Sequence, residues 1–303
     1  MSGKNVQIPS FLTRPPNQGG VRKITHDAPI SAPPQTPDAL PHNSIQVMTL
    51  AQMTMGEQWL LEQLHVRDHH VLIWVTRGQG RLLLHGLRRG FGAHNAIFVP
   101  AGKLLALEFG RQVQGQAVII PDDGRVPLPD RTQQLRLQDG LAQAELTGLF
   151  DDLRRELHEQ RPFLTESLTA IAALISIWLR RQMQLDTSNA RASAAERIVR
   201  RYCTLLAEDF HSGRAMASYA EDLDITPTHL TRVCKQCVGV TAADMLSQMI
   251  QHDARLQLTQ TDTPINEIAS SLGFGSAAYF TRFSQQHFGD SPSQIRKLAS
   301  VKR

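Results

Sequence analysis

The sequence predicts an α+β chain of two domains: an amino-terminal β-barrel followed by helices, then a carboxy-terminal all-α domain in which a long helix joins two helix-turn-helix motifs. Two patterns along the chain predict this division. Residues 45–121 hold short β-prone runs separated by glycine turns, whereas residues 217–298 hold apolar residues at the three-and-four spacing of helices. At 303 residues, 41% of them hydrophobic and 20% charged, the chain is long enough for two ordinary globular domains.

We expect a disordered tail over residues 1–43, because this stretch is rich in Pro, Asn, Gly and Ser and has neither a helical nor a strand period. The β-rich domain with its following helices is predicted over 44–185, a linker over 186–193 and the second domain over 194–303. The chain begins without a secretory pattern, and its longest apolar run is too short to span a bilayer. We therefore expect a cytoplasmic protein that does not enter a membrane.

Four apolar runs, each ending at a turn signal, predict the strands of a small barrel or sandwich. They lie at residues 71–75, 82–84, 96–99 and 117–120. Such a barrel can enclose a small effector, and its candidate lining residues are His70, Trp74, Arg81 and Phe98. Each of these four side chains is explained equally well as part of a dry core.

The turn sequences Gly78-Gln79-Gly80 and Val99-Pro100-Ala101-Gly102 resemble those of cupin-like domains. Because cupins include metal-dependent enzymes, catalysis is the alternative function of this domain, with His65, His69 and His70 as the available imidazoles. Neighbouring residues of a strand point to opposite faces, so His69 and His70 cannot easily share one ion, and no His follows closely after the Pro-Ala-Gly turn. We therefore expect no metal, no other cofactor and no catalytic residue.

Two helices are predicted after the barrel, over residues 140–160 and 163–185, with Pro162 at the break. The apolar stripe of the second helix is wider than a lone surface helix needs, which favours an antiparallel pair. One helix can lie on the barrel while the other meets a second copy of the chain. This predicts a homodimer formed through residues 140–185, and a hairpin used only within one chain is the alternative.

The second helix-turn-helix unit has the clearer boundaries. Pro264 begins a short helix with one apolar face, and Gly273-Phe274-Gly275 ends it. Ser276 is placed to cap a second helix over residues 277–288, and Gly289 follows that helix. A short helix, a glycine turn and a second helix with a polar outer face predict a recognition-helix arrangement.

The first unit repeats this plan, with Thr226-Pro227 at the start of its second helix and Gly239 at the end. A helix over residues 195–210 is expected to pack behind it. Between the two units, residues 241–260 contain no Pro or Gly and predict a helix of about 30 Å. That length is close to the roughly 34 Å between successive major grooves on one side of DNA. One chain can thus place two helices in neighbouring grooves.

Several motifs in this segment stand at fixed spacing. They are Ile268-Ala269 with Gly273-Phe274, Tyr279-Phe280-Thr281-Arg282, His287-Phe288-Gly289, Ser291-Pro292 and, in the first unit, Thr226-Pro227-Thr228-His229-Leu230-Thr231-Arg232 with Lys235. Together they resemble the DNA-binding domain of the AraC/XylS family of bacterial transcription regulators. Many such regulators carry a cupin-like sensing domain, which is the domain that the amino-terminal turns resemble.

The resemblance implies a sequence-specific regulator of transcription, either an activator or a repressor, that acts with RNA polymerase on the bacterial nucleoid and has a small-molecule effector in the amino-terminal domain. A DNA-binding regulator without such a ligand is the alternative. The residues expected at DNA are Thr228, Thr231, Arg232 and Lys235 in the first unit and Ala277, Ala278, Thr281 and Arg282 in the second. The two arginines are the expected base readers, while Lys235 and Arg255 are expected to contact phosphates.

The chain departs from the family pattern at one position of each recognition helix. Family members usually have Phe followed by Lys there, whereas this chain has Cys234-Lys235 and Ser284-Gln285. Each unit therefore lacks a large core ring, and the second also lacks a cation. Weaker DNA affinity is expected of the second unit, and Phe283 is expected to refill part of its core.

The three cysteines are Cys203, Cys234 and Cys237, an odd number that argues against a disulfide scaffold. Cys234 and Cys237 form a C-x-x-C, which is compatible with redox sensing or metal binding, but no second pair follows. We expect buried, inert thiols. The formal net charge of +4 permits nucleic-acid binding without establishing it.

Overall fold

The computed structural model of the chain describes residues 44–54, 57–185 and 192–302. The predicted tail and most of the predicted linker lie outside these residues. Within them the chain divides into an amino-terminal unit, residues 44–208 with 236–239, and a carboxy-terminal unit that holds the rest. The domain limits predicted from the sequence stay a prediction.

The amino-terminal unit contains two antiparallel sheets. A five-stranded sheet has the order β1-β7-β2-β5-β8, and a three-stranded sheet has the order β4-β3-β6. The strands are β1 (Gln46–Thr49), β2 (His69–Arg77), β3 (Gly80–Leu84), β4 (Leu87–Phe91), β5 (Asn95–Val99), β6 (Leu105–Phe109), β7 (Gln114–Pro121) and β8 (Gln133–Arg136). The helices are α1 (Leu50–Thr54), α2 (Trp59–Glu62), α3 (Gly140–Glu159), α4 (Leu164–Leu185) and α5 (Ala194–Asp209).

The five-stranded sheet is covered on both faces, because side chains of β2 alternate between two apolar clusters. Ile73 packs with Leu82 and Leu107 of the three-stranded sheet. Leu72 and Trp74 pack on the other side with the side chains of α3 and α4. A strand buried on both faces has a continuous apolar sequence, which explains why residues 71–75 show no alternation.

The predicted closed barrel is not confirmed. Among the described residues no strand ladder joins the two sheets, and an isolated bridge between His65 and Leu105 is the link between the segment before β2 and the three-stranded sheet. The two sheets instead pack face to face. Sequence runs show where strands begin and end, but closure depends on which strand edges pair, and that is a long-range property.

The two helices after the sheets lie within a residue of their predicted limits and pack against each other. Asp139 caps α3 by accepting hydrogen bonds from the backbone N–H groups of Leu141 and Ala142. The chain then reverses through Pro162, with Gln160 and Phe163 in the left-handed region at φ 46° and 64°. None of the helices in the described ranges has the length and apolar character needed to cross a bilayer.

Helix α5 contacts the turn between β3 and β4 within the amino-terminal unit. His85 and Gly86 form this turn with φ of 45° and 82°, as a tight hairpin requires. A Cβ placed on Gly86 would lie 2.8 Å from Cγ1 of Val199 and 3.1 Å from Sγ of Cys203. The sequence predicted α5 at the correct position but gave no indication of this contact.

The carboxy-terminal unit is helical, and its helix limits follow the predicted caps. It contains a 3₁₀ turn (Phe210–Ser212) and the helices α6 (Met216–Asp222), α7 (Pro227–Cys237), α8 (Ala242–Gln260), α9 (Ile265–Ser271), α10 (Ala277–Phe288) and α11 (Pro292–Lys302), with the last two residues of α7 grouped in the other unit. Thr241 and Asp244 form a reciprocal capping box at the start of α8. Ser276 caps α10, and Gly289 follows it at φ 83°.

Candidate nucleic-acid interface

Helix α7 is the second helix of the first helix-turn-helix unit, and its sides differ in polarity. Leu230, Val233 and Cys234 are buried. The predicted DNA contacts lie on the remaining surface, where Thr228, Arg232 and Lys235 are exposed and Thr231 is half-buried. The start of the helix is fixed because the Thr226 hydroxyl accepts a hydrogen bond of 3.2 Å from the His229 backbone N–H.

The Arg232 guanidinium has a partner that the sequence analysis missed. One of its terminal nitrogens lies 3.3 Å from Nδ1 of His229 and donates a hydrogen bond to it. This requires the unprotonated form of Nδ1, since both ring nitrogens of an imidazolium are donors. The sequence did contain a signal for this contact, because His229 and Arg232 are three positions apart on one helix and therefore lie on the same face.

Helix α10 has the same division in the second unit. Phe280, Phe283 and Ser284 are buried. Of the predicted contacts, Ala277, Ala278 and Arg282 are exposed and Thr281 is half-buried, with its hydroxyl donating to the Ala277 carbonyl at 2.9 Å. Within the described ranges the Arg282 guanidinium has no hydrogen bond or ion pair, so it is available to an external acceptor.

The departures at Ser284 and Cys234 are accommodated locally. The buried Ser284 hydroxyl donates a hydrogen bond of 2.7 Å to the Asp290 carbonyl, which joins α10 to the turn before α11. Phe283 packs against Phe274 with ring centroids 5.1 Å apart, consistent with its predicted role in the core.

All three cysteines are free thiols, and burial raises the pKa of Cys237, which keeps it from acting as a ready thiolate.

Two glycines place the turn of the second unit against the segment that precedes the first. Gly213 and Gly273 have φ of 67° and 76°. A Cβ on Gly273 would lie 2.4 Å from the Gly213 nitrogen, and a Cβ on Gly213 would lie 2.5 Å from the Gly273 oxygen. No side chain fits this backbone contact, so both positions require glycine.

Two polar groups support the same contact. His211 lies 3.0 Å from the carboxylate of Asp253 on α8. Arg214 donates to Asp209 at 2.8 Å and to Asp222 at 2.6 Å, and these carboxylates raise the pKa of Arg214. The segment before the first unit is therefore tied to α6, to α8 and to the turn of the second unit. These contacts around Gly213 connect both helix-turn-helix units, and we call them the shared frame.

The four candidate effector residues are not brought together. His70, Trp74 and Phe98 lie on the face of the five-stranded sheet covered by α3 and α4, whereas Arg81 is exposed on β3, 3.7 Å from Glu108. His70 accepts a hydrogen bond from the Ala101 backbone N–H at 3.2 Å, so its Nε2 carries the proton that is directed to Asp122 at 3.1 Å. The ligand role of these residues stays a prediction.

The histidines considered for a metal are engaged by protein groups. Nδ1 of His65 donates to the Gln63 carbonyl at 2.8 Å, and its Nε2 accepts from Arg67 at 3.1 Å. Nδ1 of His69 lies 2.7 Å from the Asp68 carboxylate. In the described part of the chain no three His, Cys, Asp or Glu residues are grouped as metal ligands. This geometry gives no support to a metal-dependent enzyme.

Comparison with known proteins identifies the helical domain. A family model described as a helix-turn-helix domain matches residues 219–298. The arabinose operon regulatory protein of Escherichia coli (strain K12) is 27% identical over 130 residues, 43% of this chain and 44% of that protein. The bifunctional transcriptional activator/DNA repair enzyme AdaA of Bacillus subtilis (strain 168) is 27% identical over 94 residues, 31% of this chain and 44% of that protein. Each match thus spans less than half of the relative.

Two solved structures were also similar. Unsaturated fatty acid bound wild-type ToxT from Vibrio cholerae strain SCE256 has a TM-score of 0.41 at 11% identity, covering 83% of this chain and 94% of that one. The C-terminal domain of AraT, a response regulator from Geobacillus stearothermophilus, has a TM-score of 0.32 at 28% identity, covering 36% of this chain and 88% of that one.

The helices and the family match define residues 219–298 as a double helix-turn-helix DNA-binding domain. The matched helix-turn-helix domain is of the AraC type. The predicted resemblance to the AraC/XylS family is therefore confirmed for the carboxy-terminal part of the chain.

Proposed function

We propose that the whole chain is a sequence-specific transcription regulator that inserts α7 and α10 into successive major grooves of duplex DNA. The observation that carries this proposal is the shared frame, from which each recognition helix presents an exposed arginine. Helix α8, which connects the units, has 19 residues and is therefore about 28 Å long. This suits two probes aimed at grooves roughly 34 Å apart.

The exposed residues have the chemistry for distinct roles at DNA. Arg232 and Arg282 can each donate two parallel hydrogen bonds to a guanine edge, which discriminates bases by about 1 to 3 kcal/mol. The methyl groups of Ala277 and Ala278 suit contact with thymine methyl groups. Lys235, near the end of α7, suits a phosphate, and phosphate contacts set position rather than sequence.

The direct test begins with selection of bound fragments from genomic DNA, followed by gel-shift titration of the selected site and a scrambled duplex. Arg282→Ala and Arg232→Ala should each lower the preference for the selected site by about 1 to 3 kcal/mol. Arg154→Ala, which removes an exposed arginine from α3, is the matched control and should leave the preference unchanged. Equal discrimination by all four proteins would rule out the assigned base readers.

A small-molecule effector in the amino-terminal unit is part of the proposal. Support comes from an open depression of about 510 Å³ beside β2 and α3, whose lining includes Trp74, His94, Gln143 and Asp151. A compound that changes the affinity for the selected DNA would establish an effector, since coupling between two sites is reciprocal. A regulator without a ligand would show one affinity throughout, and a metal enzyme would retain stoichiometric metal on purification.

We also propose a homodimer formed through α3 and α4. The two helices line a groove of about 360 Å³ whose apolar side chains include Leu149, Leu174 and Ile177, with Leu174 53% exposed. Its charged lining is self-complementary, because two acidic residues lie on α3 and Arg181 on α4. A two-fold axis would set the acids of one copy against the arginine of the other.

Sedimentation equilibrium tests the dimer. Leu174→Glu should yield a monomer with unchanged helix content, since it places a charge in an apolar contact. Leu141→Glu, at a 67% exposed position at the start of α3, is the matched control and should stay dimeric. A dimer that survives Leu174→Glu would remove this interface. Activation through RNA polymerase on the nucleoid follows from the family likeness alone and is part of the same proposal.

A further inference from the structure

Three segments of the amino-terminal unit bring basic side chains to one place beside the β3–β4 turn. The turn residue His85 donates a backbone hydrogen bond of 3.1 Å to the carbonyl of Leu104, the residue after Lys103. The adjacent Gly86 lies against Val199 and Cys203 of α5, so Arg200 is on the helix turn that meets the hairpin. Lys103 and Arg200 are both half-buried.

These cations lack counter-ions. Among the described residues neither Lys103 nor Arg200 has a carboxylate within ion-pair distance. The acid one helical turn before Arg200 is Glu196, whose carboxylate accepts a hydrogen bond from the Ser193 backbone N–H at 3.3 Å. Both positive charges act on His85, so they also repel each other, and an anion bound between them would relieve that repulsion.

The imidazole of His85 independently indicates that a hydrogen-bond acceptor is missing beside it. Its Nδ1 is buried and has no hydrogen-bond partner within the described ranges, which is uncommon for a native polar group. Burial, followed by the charges of Lys103 and Arg200, lowers the pKa of His85 to about 4. The ring is therefore neutral near neutral pH, and its Nδ1–H tautomer can donate to an anion without adding charge.

We infer that His85, Lys103 and Arg200 form a binding site for a small anion bearing a phosphate or carboxylate group. Two cations and one neutral N–H donor suit an oxygen-rich anion, because hydrogen bonds between ionised partners are the strong ones. The site is distinct from the Trp74 depression and needs no DNA. Coupling of this second site to DNA affinity rests on the proposed function, because α5 leads into the DNA-binding domain.

The test uses the full chain and measures its thermal midpoint against inorganic phosphate and, separately, succinate, each compared with sodium chloride of equal ionic strength. A ligand that binds the folded state raises this midpoint in a saturable way. We expect saturation with at least one of the two anions. Lys103→Gln and Arg200→Gln should each weaken that binding at least tenfold. Arg111→Gln, which removes an exposed arginine elsewhere in the unit, should bind as the unmodified chain does.

Two further measurements separate binding from folding. Lys103→Arg and Arg200→Lys retain the charge and should retain binding. In the unmodified chain the anion should raise the pKa of His85 followed by NMR, because it opposes the two cations that lower it. A structural role for these residues would not move that value.

Three outcomes would overturn the site. The first is that neither anion raises the thermal midpoint in a saturable way beyond chloride. The others are glutamine variants that bind the anion as tightly as the unmodified chain does, or a pKa of His85 that the anion does not change. A loss of DNA affinity in Arg200→Gln, with anion binding intact, would reassign that cation to DNA phosphate. If anion binding is confirmed and no specific DNA site is found, the regulator proposal fails while the anion site stands.

Discussion

The two helix-turn-helix units share one plan but depend on different chemistry. Helix α7 presents Arg232 and Lys235 from a core that contains a thiol, Cys234. Helix α10 presents Arg282 alone, from a core in which the Ser284 hydroxyl is bonded to the Asp290 carbonyl. The first unit thus has two basic side chains on its recognition helix, and the second has one. The second depends more on how accurately its helix is held, since a single cation gives little affinity unless it is aimed well.

The largest effect is expected at the contact that holds the second unit to the shared frame. Gly273→Ala would place a Cβ 2.4 Å from the Gly213 nitrogen at a φ of 76°. We expect a loss of about 3 kcal/mol in the free energy of unfolding of the carboxy-terminal domain, because strain and a backbone clash add. Denaturant titration followed by helix content measures this loss.

The matched control is Gly275→Ala, two residues along the same turn, where a Cβ would meet no atom within 4 Å. That variant should change the free energy of unfolding by no more than about 0.5 kcal/mol. Equal losses in the two variants would mean that the Gly213 contact does not hold the units together. The difference between the two helix-turn-helix units would then depend only on the side chains of α7 and α10.

Ser284→Ala tests whether the second unit depends on its buried hydroxyl. The variant leaves the Asp290 carbonyl without its hydrogen bond, so we expect a loss of about 1 to 2 kcal/mol in the free energy of unfolding. Ser293→Ala, on the exposed side of α11, should have almost no effect. An unchanged stability in Ser284→Ala would show that the carbonyl is satisfied by water, and the proposed difference between the two cores would disappear.

The charge difference predicts a smaller effect on the salt dependence of DNA binding. Lys235→Gln should reduce the slope of log affinity against log salt by about 0.9, the value for one phosphate contact. Gln285→Lys, which gives the second helix the cation it lacks, should steepen the slope by a similar amount. Gel-shift titrations at several salt concentrations measure both slopes. Unchanged slopes in both variants would place these positions away from the phosphates.

The sequence predicted the helical domain better than the β-rich one, and the reason is physical. Helix limits depend on local groups such as Ser276 and Gly289, so caps and turns mark them. The contact between Gly213 and Gly273 joins residues far apart in the chain, and no local pattern signals it. The sequence identifies both glycines as turn residues but does not show that they meet.

In the amino-terminal unit, the apolar runs predicted where the strands lie but not what covers them. Trp74 and Phe98 were expected to line a barrel interior, whereas they lie under α3 and α4. A strand buried on both faces carries no alternation to tell one face from the other. The proposed anion site was missed for a different reason, because His85, Lys103 and Arg200 meet only through the packing of three separate segments.

The smallest effect is expected on the pH dependence of stability, because His287 on α10 and His229 on α7 have different surroundings. His287 on α10 packs on Phe283 with ring centroids 4.4 Å apart, and burial lowers its pKa below the ordinary 6.5. His229 on α7 instead contacts Arg232. Because the folded state binds the His287 proton less tightly than the unfolded chain does, the stability it contributes is present above pH 6.5 and is lost as the pH falls below that value.

Thermal midpoints measured between about pH 7.5 and 5.5 give the comparison, since this window spans the ordinary histidine pKa. The midpoint of His287→Gln should fall less on acidification than that of the unmodified chain, because an uncharged amide takes up no proton. Gln285→Ala, which changes an exposed and uncharged side chain of α10, is the matched control and should fall as the unmodified chain does. Parallel curves for all three proteins would show that the imidazole on α10 is as free to take a proton as any solvated one, and acidification would then not act selectively on the second unit.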